Sequence, residues 1–173
     1  DGYQLSVGRY HLQHPKNTLT LNDINITSEY SPAEYTKRLT YQKDWFDVSA
    51  DGVIISGLDL DRAFSKRQYK AEKLLVDGLN ALIYRDKSVP LNTSAVKELP
   101  QGMLRNINHW VYLDTLNVVG NITHQINPVN TEELAELSFN ALNASLFRIT
   151  TVDQMPSRPM RLVSSGILAD TAH

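Results

Sequence analysis

The 173-residue chain contains no cysteine, which excludes disulfide bonds, thiolate metal sites and a cysteine nucleophile. It also lacks an excess of either charge, because 17 basic and 19 acidic residues leave a net charge of −2. Nucleic-acid-binding domains usually carry a strongly basic surface, so we expect no nucleic-acid partner. The sequence has neither a signal peptide nor an apolar run of about 18 residues, the length of a membrane-spanning helix.

Motifs for catalysis or metal binding are equally scarce. His11 and His14 lie three residues apart, but Pro15 and a strand-like context argue against a helical half-site, and a surface histidine pair is the favoured interpretation. Asp59 and Asp61 would point the same way on a strand and could bind a cation or exchange protons. Solvated turn residues are the simpler interpretation of the two aspartates. We therefore predict no enzyme, no catalytic residue, no metal site and no cofactor.

Strand-like patterns dominate the sequence, and one of them recurs. In "AEKLLVDGLNALIYRDK", residues 71–87, apolar positions are three and then two residues apart, and a glycine follows two residues later. Three segments share the full pattern and two share its first three positions: Ala50, Val53, Ile55 and Gly57; Ala71, Leu74, Val76 and Gly78; Leu113, Leu116, Val118 and Gly120; Leu21, Ile24 and Ile26; Phe139, Leu142 and Ala144. Gly57 precedes Gly78 by 21 residues and Gly78 precedes Gly120 by 42, which indicates a repeat.

A β-bulge explains the three-residue step. Alternate residues of a strand share a face, so a step of three would move the next apolar side chain to the other face. One extra, bulged residue between Ala71 and Leu74 restores the face, and Gly78 then marks a bend. Under this hypothesis one apolar face carries the following residues, which are the candidates for a lipid groove: Ile24, Ile26, Val53, Ile55, Leu74, Val76, Leu116, Val118 and Ile122.

Short helices are predicted at two places. In "SPAEYTKRLTYQ", Ser31 would be the N-cap and Pro32 the first helical residue. The second is "LPQGMLRNI", residues 99–107. Residues 131–149 fit a helix that begins after Thr131, but the repeat pattern favours a strand from about Leu137 onward.

These patterns predict a mainly β fold. We expect residues 1–173 to form a single β-rich domain, built as a curved, repeat-built antiparallel sheet with an apolar concave face and one or two short helices. The chain starts at Asp1 and stops after a strand-like run, so we expect it to be a fragment of a longer protein.

The order of several motifs resembles the AsmA/TamB-like proteins of Gram-negative envelopes, particularly the large AsmA-like proteins of the Bacteroidetes group. The resemblance covers roughly residues 44–150. It is carried by the repeated strands that end in glycine, by "IYRDKSVP", by a helix containing "LPQGMLR" and by "DTLNVVGNI".

The resemblance implies an elongated sheet with a hydrophobic groove, in a protein that is anchored in the inner membrane and reaches into the periplasm. It implies a role in lipid transport or outer-membrane biogenesis, with phospholipid acyl chains against the groove and the membrane anchor outside this fragment. The alternative is a structural or protein-interaction module of the cell envelope, in which the apolar face is a closed core. Packing of Ile55, Val76 and Val118 against the chain's own helices would favour that alternative.

Overall fold

The computed structural model describes residues 2–94, 109–129, 133–151, 161–164 and 168–171. Six long strands form the sheet: β1 (Tyr3–Gln13), β2 (Thr18–Ser28), β3 (Trp45–Ser56), β4 (Gln68–Asp86), β5 (Trp110–Asn127) and β6 (Ala135–Thr150). The remaining elements are short: β7 (Arg161–Ser164), β8 (Leu168–Thr171), the helices α1 (Pro32–Thr36) and α2 (Leu60–Lys66), and a 3-10 turn (His14–Lys16).

The sheet is open and follows chain order from β1 to β6, and the two short strands both pair with β6. The predicted mainly β fold with short helices is confirmed. The prediction of a wholly antiparallel sheet is wrong, because β4 and β5 run parallel while the other long strands pair antiparallel. Residues 87–109 connect β4 to β5, and a connection of this length permits the crossover that parallel strands need.

The parallel pair explains one of the repeat spacings. Ala71 lies opposite Leu113, Leu74 opposite Leu116, and Val76 opposite Val118. The two copies of the pattern that are 42 residues apart therefore lie side by side in the same direction. Copies 21 residues apart lie on β3 and β4, which are antiparallel, so a simple translation does not relate them.

The three repeat glycines have backbone conformations that other residues rarely adopt. Gly57, Gly78 and Gly120 all have positive φ, of 66°, 63° and 155°. The register between β4 and β5 shifts between Val76 and Leu79, at Gly78, and does not shift between Ala71 and Leu74. Since β5 repeats the three-residue step at the same level, a bulge in both strands would leave them in register there, and the bulge between Ala71 and Leu74 stays a prediction.

Three continuous rows of apolar residues cross all six long strands. Residues directly opposite one another in paired strands share a face, so each row lies on one side of the sheet. The Leu12 row contains Leu12, Leu19, Ile55, Leu74, Leu116 and Leu146; the Tyr10 row contains Tyr10, Leu21, Val53, Val76, Val118 and Ala144; the Leu5 row contains Leu5, Ile26, Val48, Ala81, Ile122 and Phe139.

The first helix forms where it was predicted. Ser31 is the N-cap of α1 and exchanges hydrogen bonds with Glu34 in a capping box, and Pro32 occupies the first turn. The Tyr35 ring of α1 contacts the Tyr3 ring of β1 edge-on at 6.3 Å, which fastens this helix to the sheet.

The helix α2 contradicts one prediction. A second prediction falls on residues that the structure does not describe. Asp59 and Asp61 were interpreted as solvated turn residues, but Asp59 is the N-cap of α2 and Asp61 lies in its first turn. The predicted helix at residues 99–107 lies outside the described residues. Residues from Leu137 onward do form a strand, as predicted, because β6 begins at Ala135.

Buried side chains are few and mostly small. Among the described residues, those that are buried are Trp45, Ala50, Ala71, Ala81, Val89, Leu113 and Ala144, and each keeps 7–8% of its surface exposed. Trp45 donates its indole N–H to the carbonyl of Tyr30 at 2.8 Å, and Arg85 binds Asp44 through two hydrogen bonds at 2.5 Å. These contacts tie the α1 segment to one end of the sheet, while α2 covers part of the other.

Candidate functional site

An apolar pocket of about 520 Å³ lies between α2 and the adjacent strand ends. We call it the α2 pocket. Its walls combine the Leu12 row, the start of β4 and β5, and the inner side of the helix. The lining residues are Tyr10, Leu12, Leu19, Ile55, Leu58, Leu60, Ala63, Phe64, Tyr69, Ala71, Leu74, Val111, Tyr112 and Leu113.

The turns around α2 place the helix over the sheet. Gly57 and Arg67, on either side of α2, have φ values of 66° and 52°, so the chain leaves and re-enters the sheet through left-handed residues. The Asp59 carboxylate accepts the N–H of Arg62 at 3.0 Å and caps the helix. The Asp59 N–H donates to the carbonyl of Lys70 at 2.9 Å, which joins the helix start to β4.

Local sequence accounts for the apolar side of α2. Leu60, Ala63 and Phe64 have the i, i+3, i+4 spacing that places three side chains on one face of a helix. All three line the pocket. Phe64 remains 81% exposed, so the pocket is open on the helix side.

The chemistry of the α2 pocket is that of a hydrocarbon site. Of the described residues, those that line it carry no ionisable group except the phenols of Tyr10, Tyr69 and Tyr112. Its volume falls within the range of about 300–1,000 Å³ that is typical of small-ligand pockets. A charged ligand group placed there would lose its hydration without gaining a partner, whereas an alkyl chain would not.

The predicted groove residues divide into three sets. Ile55 and Leu74 line the α2 pocket, and Leu116 lies beside Leu74 in the same row. Val53, Val76 and Val118 belong to the Tyr10 row. Each of them is two residues away from the Leu12-row residue of its own strand, so it faces the same side of the sheet as the pocket.

The third set lies beyond the register irregularity at Gly78. Ile26 and Ile122 belong to the Leu5 row, and Ile24 lies opposite Ala50 in β3. These rows show that the residues are aligned across the sheet. That they share one concave face with the pocket stays a prediction.

Sequence reasoning missed the helix side of the pocket and its tyrosines. Because Asp59 was interpreted as a turn residue, it was not recognised as an N-cap that is followed by apolar residues at helical spacing. Recognition of that cap would have placed Leu60, Ala63 and Phe64 on a helix face. Tyr10 and Tyr69 were not detectable, because only strand pairing brings β1 and β4 to the same end of the sheet.

A polar pocket of about 470 Å³ lies beside the turn before α2, and it contains three of the four residues that had been weighed as metal ligands or acids; His11 is not among its lining residues. His14, Asp59, Asp61, Lys70 and Glu72 contribute to its lining. The Asp59 carboxylate already caps the helix and forms an ion pair with Arg62 at 3.3 Å. In the part of the chain that the structure describes, no group of three or more His, Cys, Asp or Glu side chains could hold a metal ion.

The shifted pKa values lie away from the α2 pocket. Hydrogen bonding to Asp44 raises the pKa of Arg85, although partial burial opposes the shift. Burial raises the pKa of the Tyr35 phenol, and the nearby Tyr3 adds to the shift. These groups stabilise the opposite end of the sheet and none of them lines the pocket, so they offer no acid or base for chemistry there.

Comparison of the chain with protein-family models, with curated proteins and with solved structures finds no match. Within the described ranges, no helix is long and apolar enough to cross a membrane.

Proposed function

We propose that the chain is a non-enzymatic segment of an AsmA-like protein involved in lipid transport or outer-membrane biogenesis, and that its apolar groove contacts phospholipid acyl chains. The observation that carries this proposal is the α2 pocket, an open site of about 520 Å³ with apolar and tyrosine walls. Ile55 and Leu74, two of the groove residues expected from the sequence, lie in its wall.

The energetics of alkyl-chain burial support a ligand of this class. Each methylene that leaves water contributes about 0.8 kcal/mol, so eight methylenes contribute about 6 kcal/mol before the costs of binding. A gain of this size is enough for a reversible complex that can release its ligand. Transport of lipid requires such reversibility more than it requires tight binding.

The apolar rows extend the apolar surface of the α2 pocket along the sheet. The Tyr10 row adjoins the Leu12 row along every long strand, so apolar side chains extend from the pocket toward the middle of the sheet. An acyl chain longer than the pocket would lie along these rows. In this proposal the protein works in the periplasm, and the full-length protein carries the inner-membrane anchor.

A substitution on α2 tests whether the pocket binds hydrocarbon. Ala63 lines the pocket, whereas Ser65, two residues later, is exposed and donates its hydroxyl to the carbonyl of Asp61. Ala63→Trp would fill the pocket with an indole ring, while Ser65→Trp adds the same ring outside it. We expect Ala63→Trp to weaken binding of a fluorescent fatty acid by about tenfold or more, which corresponds to the loss of about two buried methylenes.

The matched variant Ser65→Trp is expected to bind the fatty acid as the unsubstituted chain does. Far-ultraviolet circular dichroism of both variants establishes that the sheet is intact. Equal binding by Ala63→Trp, Ser65→Trp and the unsubstituted chain would place the ligand elsewhere and remove the main support for the proposal.

A second candidate is a structural or protein-interaction module of the cell envelope with a closed apolar core. It is favoured by Ile55, which lines the α2 pocket together with the apolar residues of α2. Val76 and Val118 are not among the described lining residues, so only one of the three positions that this alternative requires faces a helix across the pocket. A fatty-acid titration that shows no binding to the unsubstituted chain would favour the module.

A further inference from the structure

Positive charge is concentrated beside the open side of the α2 pocket. Residues 64–70, which end α2 and begin β4, contain three cations and no carboxylate, although the whole chain has a net charge of −2. Lys66 and Arg67 lie in the chain between Phe64 and Tyr69, two aromatic residues that both line the pocket. The two cations therefore lie at the rim of a pocket whose walls are hydrocarbon and phenol.

The end of α2 places Arg67 beside the pocket-lining face of the helix. Arg67 follows Ala63 by four residues and Phe64 by three, the spacings at which residues are neighbours on the surface of a helix. Its backbone N–H donates to the carbonyl of Arg62, so Arg67 closes the last turn of α2 as the C-cap. Arg67 thus continues the apolar face of α2 at the point where the chain enters the sheet.

The two cations have no carboxylate partner among the described residues. Both side chains are exposed, and neither Lys66 nor Arg67 takes part in the ion pairs that the described residues form. Arg62, also on α2, differs in this respect because it is paired with Asp59 at 3.3 Å. An anion that approaches the rim would therefore gain a positively charged partner without displacing one of the chain's own carboxylates.

A molecule with an alkyl chain and an anionic group matches this arrangement. Its chain would leave water for the apolar walls, whereas its anionic group would stay outside, because the pocket lining offers no charged partner. At the rim, the planar guanidinium of Arg67 can donate two parallel hydrogen bonds to a carboxylate or a phosphate. The aliphatic stem of an arginine can lie along apolar surface at the same time.

We propose that Arg67 is a specificity-determining residue, which binds the carboxylate or phosphate of an anionic lipid whose acyl chain occupies the α2 pocket. Lys66 adds positive charge at the same rim. The inference rests on the proposed function for the acyl chain, and it adds the charge of the ligand and its orientation. The chain lies inside and the anionic group lies at the end of α2.

Arg67→Gln tests this role, because glutamine removes the charge and keeps a polar side chain. Arg38→Gln is the matched control, since Arg38 is also exposed but follows α1 at the opposite end of the sheet. Calorimetric titration with dodecanoate and with dodecanol compares two ligands that share a chain and differ in charge. We expect Arg67→Gln to weaken dodecanoate binding by about threefold to tenfold and to leave dodecanol binding unchanged, while Arg38→Gln changes neither.

Arg67→Lys separates charge from packing. It keeps the positive charge, so it should bind dodecanoate within about threefold of the unsubstituted chain. A loss as large as that of Arg67→Gln, or a loss in Arg67→Gln that is equal for dodecanoate and dodecanol, would overturn the proposal and leave the hydrocarbon pocket in place. If neither ligand binds the unsubstituted chain, the proposed function fails as well.

Inorganic phosphate shows whether the acyl chain is needed for binding of the anion. We expect phosphate alone to bind about a hundredfold or more weakly than dodecyl phosphate, because it cannot use the apolar walls. Equal affinities of the two would mean that the anion binds without the pocket, and would overturn the proposed ligand class.

Discussion

At the scale of single residues, two kinds of position stabilise the sheet. Some residues allow neighbouring strands to approach closely, and some charged residues form an ion pair at one end of the sheet. Gly120 is the clearest of the first kind. A Cβ at this position would overlap the backbone of Leu79 and lie 2.6 Å from its nitrogen, and φ is +155°. Asp44 and Arg85 are the clearest of the second kind, with exposed side-chain fractions of 26% and 25%.

Gly120→Ala should destabilise the protein by at least about 1–3 kcal/mol, which is the cost of the unfavourable backbone conformation alone. Gly52→Ala is the matched control, because a Cβ there meets its nearest atoms at 3.8 Å and Gly52 is also in a strand. We expect the control to change the free energy of unfolding by less than about 1 kcal/mol. Urea denaturation measures both values, and similar losses would refute the close approach of Leu79.

Asp44→Asn should cost about 1.5–3 kcal/mol, because it leaves the partly buried guanidinium of Arg85 without its charged partner. Asp23→Asn removes one partner of the ion pair with Arg9, but those side chains are 62% and 79% exposed. The expected cost there is below about 1 kcal/mol, since exposed ion pairs contribute little. If the two substitutions prove equally costly in urea denaturation, burial does not distinguish the two pairs.

At the scale of elements, the caps decide where the helices begin. The hydroxyl of Ser31 and its backbone N–H bind the Glu34 carboxylate in α1, while Asp59 caps α2. The first cap could be read from the sequence because serine and proline stand together there. The second was mistaken for a turn, because Asp59 in "GLDLDR" was not connected with the apolar residues at helical spacing that follow it.

The capping box makes α1 sensitive to pH. Hydrogen bonds from Ser31 hold the pKa of Glu34 below its ordinary value. A carboxylate whose folded pKa is lowered contributes stability above its unfolded pKa, and that contribution is lost as pH falls through the folded pKa. We expect Ser31→Ala to raise the pKa of Glu34 toward its ordinary value, as measured by NMR titration of the carboxyl carbon.

Ser88→Ala provides the control for this titration. Burial would raise the pKa of Asp86, but hydrogen bonds from Ser88 and Asn127 outweigh it and the net shift is downward. The control should therefore raise the pKa of Asp86 and leave that of Glu34 unchanged. A pKa of Glu34 that is insensitive to Ser31→Ala would mean that the capping box does not form in solution.

The local sequence predicts the irregular points of the strands but not the direction in which neighbouring strands pair. The recurring spacing around Gly57, Gly78 and Gly120 predicted three irregular points, and all three have positive φ. Strand direction was not predictable, because the pattern reads the same for parallel and antiparallel neighbours. The connection of residues 87–109 is a local sign of a crossover, but the only structure predicted within it was the helix at residues 99–107.

At the scale of the whole molecule, one broad sheet carries continuous apolar rows, and the described residues provide little covering for them. The helix α2 covers only the end of the Leu12 row, where it forms the α2 pocket. The apolar positions Ile55 and Leu74 were predictable from the repeat, whereas the enclosure of a pocket was not, since it depends on the placement of α2. In the proposed function, acyl chains cover this surface.

The direct measurement is mass spectrometry of the lipid extracted from purified protein, in parallel with the Ala63→Trp and Ser65→Trp variants. We predict that phospholipid co-purifies with the unsubstituted chain and with Ser65→Trp, and that Ala63→Trp retains markedly less. Protein that is folded and free of lipid, with the pocket filled by its own side chains, would contradict the account and favour a closed structural core.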